Sequence, residues 1–251
     1  MGGGRGALSR RDTIVLGVLG AIVLWTLLGR KTVGSQSLIF FAVLIPSVIL
    51  HEVSHGVMAL ALGDDTAQRA GRLSLNPVRH VDPVGTIILP AILVLSGAGA
   101  FGWAKPVPVN VRRLRSPRNH SVLVSLVGPA TNIVLAVLAA VALRISLPAE
   151  AGAFGFYARA GVIVRGGPMV GQLLYAFGLV NLFLAVFNLL PIPPLDGSVL
   201  IERLLPARYW NGYLQFRRYS MGLLFVIVLL LPGHTLSRIF EPAVRLWGQL
   251  L

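Results

Sequence analysis

Long apolar stretches separated by short polar ones dominate the hydropathy pattern of this chain. The clearest are Thr13–Leu28, Ser37–Leu62, Ser121–Ile145, Met169–Leu190 and Ser220–Leu231. A helix that crosses a bilayer needs about 20 predominantly apolar residues. The pattern therefore predicts several membrane helices, with the first and last of these stretches short for a full span.

Two further stretches depart from this pattern. Gly85–Ala100 is apolar but carries Pro90 and several glycines, so it predicts a re-entrant segment and not a regular span. Phe101–Val111 alternates and is interrupted by prolines, which favours an edge strand or another extended segment. The polar stretch 64–83 predicts a loop with short strands.

Composition supports membrane integration. Hydrophobic residues make up 55% of the 251 positions and charged residues only 12%, whereas soluble domains carry about 25% charged residues. We therefore predict an all-α membrane protein, a polytopic helical bundle of about five to six membrane segments with a small membrane-associated β element. Residues 1–251 form one domain in this prediction, with its core at about 37–201 and flanking helices at 13–28 and 220–231.

The charge is strongly positive, with 22 basic against 9 acidic residues. No basic helix or recognition motif accompanies it, so nucleic-acid binding is not predicted. Basic residues of membrane proteins collect in cytoplasmic loops, and this rule places the N-terminus in the cytoplasm. The loops around Arg69, Arg115 and Arg203 then lie on the same side, provided that Gly85–Ala100 enters and leaves by one face. The absence of cysteine excludes thiolate metal sites.

Ionised side chains inside an apolar helix are costly and are usually functional. The second apolar stretch contains HEVSH, with His51 and His55 four residues apart and Glu52 beside the first. Residues at i and i+4 share one helix face, so both imidazoles can bind one ion, and Glu52 can reach a metal-bound water. Two histidines with a carboxylate are typical zinc ligands. We place this site about 10 Å below the nearer, cytoplasmic face.

A third ligand is expected among the few acidic residues. Asp196 lies in NLLPIPPLDG, where three prolines end an apolar helix and leave carbonyls unpaired. Asp196 could face the helix that contains HEVSH, or it could instead cap the helix that begins at Gly197. Glu202 is the alternative third ligand, in a metalloprotease of another kind. In SLVGPATN, the small residues indicate close helix packing, and Asn132 could hydrogen-bond across helices.

Together, HEVSHG, GPATN and NLLPIPPLDG resemble the site-2 protease family of intramembrane metalloproteases, in its compact prokaryotic form. The resemblance covers about residues 45–201. It implies one Zn²⁺ per chain, held by His51, His55 and Asp196, with Glu52 activating water. It also makes Asn188 a candidate to hold the substrate or a transition-state oxygen. We predict the same supporting role for Asn132.

The resemblance implies a multi-pass protein of a prokaryotic cell membrane that hydrolyses peptide bonds in or near transmembrane segments of other membrane proteins. Its partners are then those substrates and the lipid bilayer. Two alternatives stay open from the residues alone. A transporter with intramembrane ion ligands would explain charges in membrane helices but not the HEVSH spacing. A catalytically idle relative would bind membrane proteins without cutting them, and the presence of Glu52 argues against it.

Overall fold

The computed structural model describes residues 35–82, 84–85, 104–147, 154, 168–230 and 233–251. Within these ranges the regular structure is entirely helical. The α-helices are α1 (Ser35–Ala61), α2 (Thr66–Arg69), α3 (Pro117–Ser146), α4 (Met169–Asn188), α5 (Ser198–Leu204), α6 (Trp210–Leu230) and α7 (Gly233–Trp247). Short 3₁₀ helices occupy Pro77–His80, Val111–Arg113 and Ala207–Tyr209.

Three long helices build the bundle. Among the described residues, Ala42–Ala61 of α1, Pro117–Ser146 and Met169–Asn188 are long and apolar enough to cross a membrane. All three pack against one another. The structure therefore supports a helical membrane bundle but not the predicted count of five to six segments. The predicted helix at 13–28 and nearly all of Gly85–Ala100 lie outside the described residues.

The predicted β element is not found in the described part of the chain. Residues 104–110 have no regular secondary structure and pair with no strand. The two prolines favour an extended backbone in the residues that precede them, and the backbone is also extended at Asn110. Pro106 and Pro108 have no N–H to donate to a ladder, and the Lys105 and Asn110 N–H groups bond to the His80 carbonyl and the Asp64 carboxylate. Where short strands were predicted in 64–82, the structure has α2 and a 3₁₀ turn. Asn76 begins that turn, its side chain accepting from the Val78 N–H.

The C-terminal helix α7 packs against α3 and α4. Its Trp247 is buried, and the indole N–H donates to the Ala136 carbonyl at 2.8 Å. A β-carbon at Gly178 would collide with that indole. Trp247 thus joins a core of α3 and α4 side chains that includes Leu143 and Tyr175.

Asp64, just after α1, binds the backbone of two neighbouring segments, at Thr66 and at Asn110. It is fully buried, and its carboxylate accepts hydrogen bonds from the Asn110 N–H at 2.6 Å and from both the N–H and the hydroxyl of Thr66. Burial acts to raise the pKa of Asp64, but these hydrogen bonds and the nearby Arg113 outweigh it, and the pKa lies below its ordinary value. The ionised carboxylate therefore holds the extended segment 104–110 beside α1.

Candidate active site

Helix α1 presents both histidines of HEVSH to the interior of the bundle. His51 and His55 are 6% and 8% exposed, and their Nε2 atoms lie 3.1 Å apart. The four-residue spacing places the two rings on one face, as the sequence predicted, and they meet edge to face at an interplanar angle of 83°. Two imidazole nitrogens thus meet at one point between α1 and its neighbours.

Asp196 reaches the same point from the turn that follows α4. Its Oδ2 lies 3.1 Å from Nε2 of His51 and 3.4 Å from Nε2 of His55. The turn is tight, since the Gly197 N–H donates to the Asn188 carbonyl at 2.6 Å and a β-carbon at Gly197 would strike the Leu189 carbonyl. Of the two arrangements left open by the sequence, the structure has the one in which Asp196 faces the histidines.

The other acidic candidate is placed elsewhere. Glu202, in α5, accepts hydrogen bonds from the Tyr213 hydroxyl at 2.8 Å and from Arg217 at 3.1 Å. These contacts tie α5 to α6. The only group of three or more potential metal-ligating residues within the described ranges consists of His51, His55 and Asp196, with ligand atoms within 4.8 Å of one another.

Hydrogen bonds on the far side of each ring fix the tautomers. Nδ1 of His55 lies 2.6 Å from the Val124 carbonyl, and Nδ1 of His51 lies 2.6 Å from Oδ1 of Asn132. A carbonyl oxygen can only accept, so each Nδ1 must carry a hydrogen. In the neutral rings, both Nε2 atoms then keep their lone pairs and face Oδ2 of Asp196, a buried atom for which the described residues provide no hydrogen-bond partner.

This arrangement suits a cation. With both rings neutral, three lone-pair atoms converge at one point, namely Nε2 of His51, Nε2 of His55 and Oδ2 of Asp196. Left alone they would repel one another, whereas a metal ion would satisfy all three at once. Two neutral imidazoles and one carboxylate are ligands that zinc accepts, with a further coordination position left open.

The motif GPATN supplies the wall of this centre. A β-carbon at Gly128 would lie 2.5 Å from Nε2 of His55 and 2.6 Å from Cε1 of His51, so only glycine leaves room for both rings. Pro129 follows inside α3 and has no N–H to donate to the Ser125 carbonyl. The neighbouring Val124 carbonyl is the one that accepts from His55. The sequence indicated packing here but did not reveal these contacts to the histidines.

Within the part of the chain that the structure describes, Glu52 is held by the segment 104–110. Its Oε2 accepts from the Val107 N–H at 2.9 Å. The buried Arg72 fixes the same segment, because its guanidinium donates to the carbonyls of Lys105 at 2.6 Å, Pro106 at 3.3 Å and Arg79. Nothing in the sequence signalled the roles of Val107 and Arg72, since they are distant from HEVSH along the chain.

The two asparagines lie in different surroundings. Asn132 is fully buried between Asn181 and His51, and both polar atoms of its side chain are hydrogen-bonded. Asn188 stands at the end of α4, where its Nδ2 donates to the Leu184 carbonyl at 2.9 Å. The support of substrate or transition state by either residue stays a prediction.

Comparison with known proteins identifies the family. A model of peptidase family M50 matches residues 39–231, a range that contains the histidine pair, Glu52 and Asp196. The chain belongs to peptidase family M50. The resemblance to site-2 proteases that the motifs indicated is thereby confirmed, and with it the activity that it implied. This M50 peptidase is an intramembrane zinc metalloprotease.

Individual relatives agree with the family. YwhC of Bacillus subtilis, named as a zinc metalloprotease, is 39% identical over 189 residues, which cover 75% of this chain and 78% of the relative. Rip2 of Mycolicibacterium smegmatis, named likewise, is 30% identical over 211 residues, covering 80% of this chain and 66% of the relative. Rip2 of Mycobacterium tuberculosis H37Rv is 30% identical, and 63% of its length is covered. No solved structure matches this M50 peptidase.

Proposed function

We propose that His51, His55 and Asp196 hold the catalytic zinc of this M50 peptidase and that Glu52 is its general base. The observation that carries the proposal is the convergence of three lone-pair atoms, two of them on rings whose tautomers are fixed from behind. The family supplies the class of reaction, and the geometry supports these residues as the ones that perform it.

When bound, zinc supplies a Lewis acid that lowers the pKa of a coordinated water and polarises the peptide carbonyl. The protein residues have separate tasks. The rings of His51 and His55 and the carboxylate of Asp196 hold the ion in a fixed geometry. The Glu52 carboxylate accepts the proton of the attacking water and delivers it to the leaving amine. The Val107 N–H, bonded to Oε2, leaves Oε1 as the oxygen with which Glu52 takes up that proton.

We propose transmembrane segments of other membrane proteins as the substrates. A helical amide is shielded and already hydrogen-bonded, so the substrate must unwind before it can be cut. The extended segment 104–110 is the candidate surface for the opened strand. Its Pro106 and Pro108 carbonyls can accept hydrogen bonds, but these residues have no N–H to donate. Trp103, within the predicted edge strand Phe101–Val111, lies outside the described residues.

The orientation follows from the basic loops. The end of α1 at Ala61 and the start of α3 at Pro117 lie at one end of the bundle, joined by the Arg115 N–H to Leu62 carbonyl bond. The surrounding arginines favour the cytoplasmic side for this end. We therefore propose a multi-pass protein of a prokaryotic cell membrane, with a cytoplasmic N-terminus and the zinc nearer the cytoplasmic face.

The test compares metal content with turnover in purified protein in detergent. Alanine variants of His51, His55 and Asp196 should each bind less than the one zinc per chain of the native protein. Glu52→Gln should keep its zinc and lose cleavage of a transmembrane reporter substrate, because glutamine cannot accept the proton. Full zinc in all three alanine variants would refute the ligand assignment, and cleavage by Glu52→Gln would refute the base.

A further inference from the structure

A chain of buried hydrogen bonds runs from the centre of the bundle to His51. Ser47 of α1, Asn181 of α4 and Asn132 of α3 are each 0% exposed and lie in otherwise apolar helices. Nδ2 of Asn181 is 2.9 Å from Oγ of Ser47, and Nδ2 of Asn132 is 2.7 Å from Oδ1 of Asn181. Oδ1 of Asn132 is 2.6 Å from Nδ1 of His51.

Two backbone carbonyls at the end far from His51 determine which group donates and which accepts in each of these hydrogen bonds. Nδ2 of Asn181 also lies 2.8 Å from the Phe177 carbonyl, and the Ser47 hydroxyl donates to the Val43 carbonyl at 2.7 Å. Carbonyl oxygens only accept. The Ser47 oxygen is therefore free to accept, and the two hydrogens of the Asn181 amide are used by Ser47 and Phe177. The oxygen of Asn181 must then face Asn132.

The orientation of the Asn181 amide determines that of Asn132 and, through it, which nitrogen of His51 carries the hydrogen. Because Asn181 presents an oxygen, Asn132 must present its NH₂ group to it. The oxygen of Asn132 then faces Nδ1 of His51, and only a hydrogen on Nδ1 satisfies the contact. Nε2 of His51 is left with its lone pair toward Asp196. If Asn132 turned its amide around, its NH₂ group would meet Nδ1, and the hydrogen would be driven to Nε2, where it blocks ligation.

We propose that Asn132 and Asn181, anchored by Ser47, are positioning residues that set the tautomer of His51 for zinc binding. This inference rests on the ligand role of His51 proposed above. It gives Asn132 a role in zinc binding, through its hydrogen bond to the proposed ligand His51. It also gives a task to Asn181 and Ser47, neither of which touches the centre. Partners behind a metal-binding histidine typically change metal affinity or activity by about 10- to 100-fold when they are removed.

The decisive variants are Asn181→Leu and Asn181→Asp. Leucine has a similar size but no polar atoms, so Asn132 loses the contact that orients it, and we expect zinc to bind roughly tenfold more weakly. Neutral aspartic acid, the form that burial in an apolar helix favours, keeps an oxygen toward Nδ2 of Asn132 and can donate its O–H to the Phe177 carbonyl, so zinc affinity should stay near the native value. If Asn181 had only a structural role, Asn181→Asp would weaken zinc binding more than Asn181→Leu, because a buried acid is costlier in a membrane helix than leucine.

Two measurements read the result. The zinc dissociation constant is obtained by competition with a chromophoric chelator in detergent. The tautomer of His51 is read in metal-free protein from ¹⁵N chemical shifts of the imidazole, above the pH range in which histidine is protonated. We expect native protein and Asn181→Asp to show the hydrogen on Nδ1, and Asn181→Leu to show a population with the hydrogen on Nε2.

A serine pair provides a second test should the leucine variant not fold. Ser47→Ala removes one of the two anchors of Asn181 and should weaken zinc binding by a few-fold. Ser220→Ala is the matched control, because Ser220 is equally buried and donates to the Arg217 carbonyl within α6, away from the site. It should leave zinc affinity unchanged.

The outcomes separate this inference from the proposed function. If His51→Ala retains zinc, the ligand assignment itself fails. If His51→Ala loses zinc while Asn181→Leu keeps native affinity and a native tautomer, the ligand assignment stands and the positioning role is overturned. Equal weakening by Asn181→Leu and Asn181→Asp would also overturn it, and so would equal behaviour of Ser47→Ala and Ser220→Ala.

Discussion

Gly128 offers the sharpest perturbation of the proposed zinc centre, because a single added methyl group would enter it. In Gly128→Ala, the new β-carbon would lie 2.5 Å from Nε2 of His55 and 2.6 Å from Cε1 of His51. Favourable contacts between such atoms are about 3.5–4.0 Å. One or both rings, or the backbone of α3, must therefore shift by about 1 Å.

A shift of this size is large for a metal site. Metal–ligand distances are held to within about 0.2 Å, and His51 and His55 cannot retreat far, since each is bonded through Nδ1 to an acceptor 2.6 Å away. We expect Gly128→Ala to weaken zinc binding at least as much as the loss of an outer hydrogen-bond partner, roughly 10- to 100-fold, and to reduce cleavage in parallel. Alanine is otherwise the better helix former by about 0.5–1 kcal/mol, so the metal-free protein should still fold.

The control is Gly222→Ala in α6, where an added β-carbon would meet none of the described residues within 4 Å. This variant changes helix propensity alone and should keep both zinc and activity. The assay is the zinc dissociation constant by chelator competition in detergent, with reporter cleavage measured on the same samples. Native zinc affinity in Gly128→Ala would show that the ion is not held between His51 and His55 in the arrangement proposed here.

Two further predictions concern Val107 and Asp64, and a third concerns the membrane topology. Val107→Pro removes the N–H that holds Glu52 and should lower turnover at least tenfold with zinc retained, whereas Val107→Ala keeps the N–H and should stay near native in the same cleavage and metal assays. Asp64→Asn weakens the hydrogen bonds to a buried carboxylate and should cost roughly 3 kcal/mol in thermal or denaturant unfolding. Because the pKa of Asp64 is lowered by folding, its contribution is present above about pH 4 and is lost as the pH falls further, so the gap between variant and native protein should close in acid. Reporters fused after Asp64, Arg115 and Arg203 should all read cytoplasmic, and an external reading at Arg115 would mean that residues 85–100 cross the membrane.

Local periodicity made the centre of the site predictable. His51 and His55 are one helical turn apart, so any helix through HEVSH must place them on one face. Asp196 could be selected because acidic residues are rare in the apolar stretches and because the surrounding prolines end a helix at that point. The helices themselves could be read from apolar length alone, and α1, α3 and α4 match the predicted stretches to within a few residues.

The partners of these residues could not be predicted in the same way. Asn132 and His51 are 81 positions apart, and Val107 is 55 positions from Glu52, so their contacts depend on how the helices and loops pack and not on local pattern. Asn181 did carry a signal, namely a carboxamide in an apolar helix. The predicted strand at 101–111 is not found in the described part for a physical reason. The N–H groups of Lys105, Val107 and Asn110 bond to a carbonyl or a carboxylate outside the segment, and Pro106 and Pro108 have no N–H.

The contacts divide the site into two parts that are held by different means. The two proposed histidine ligands are fixed by helix-to-helix contacts in the apolar bundle, through the Val124 carbonyl and Asn132, and Asp196 is positioned by the tight turn after α4. Glu52 is fixed by the extended segment 104–110, which is itself anchored by Arg72 and Asp64 outside the spans. Changes in the bundle should therefore act first on metal affinity, and changes in the loop region should act first on turnover. An opened substrate strand that pairs with segment 104–110 would contact the part that holds the base and leave the ligands undisturbed. Substrate binding can then align Glu52 for proton transfer without loosening the zinc.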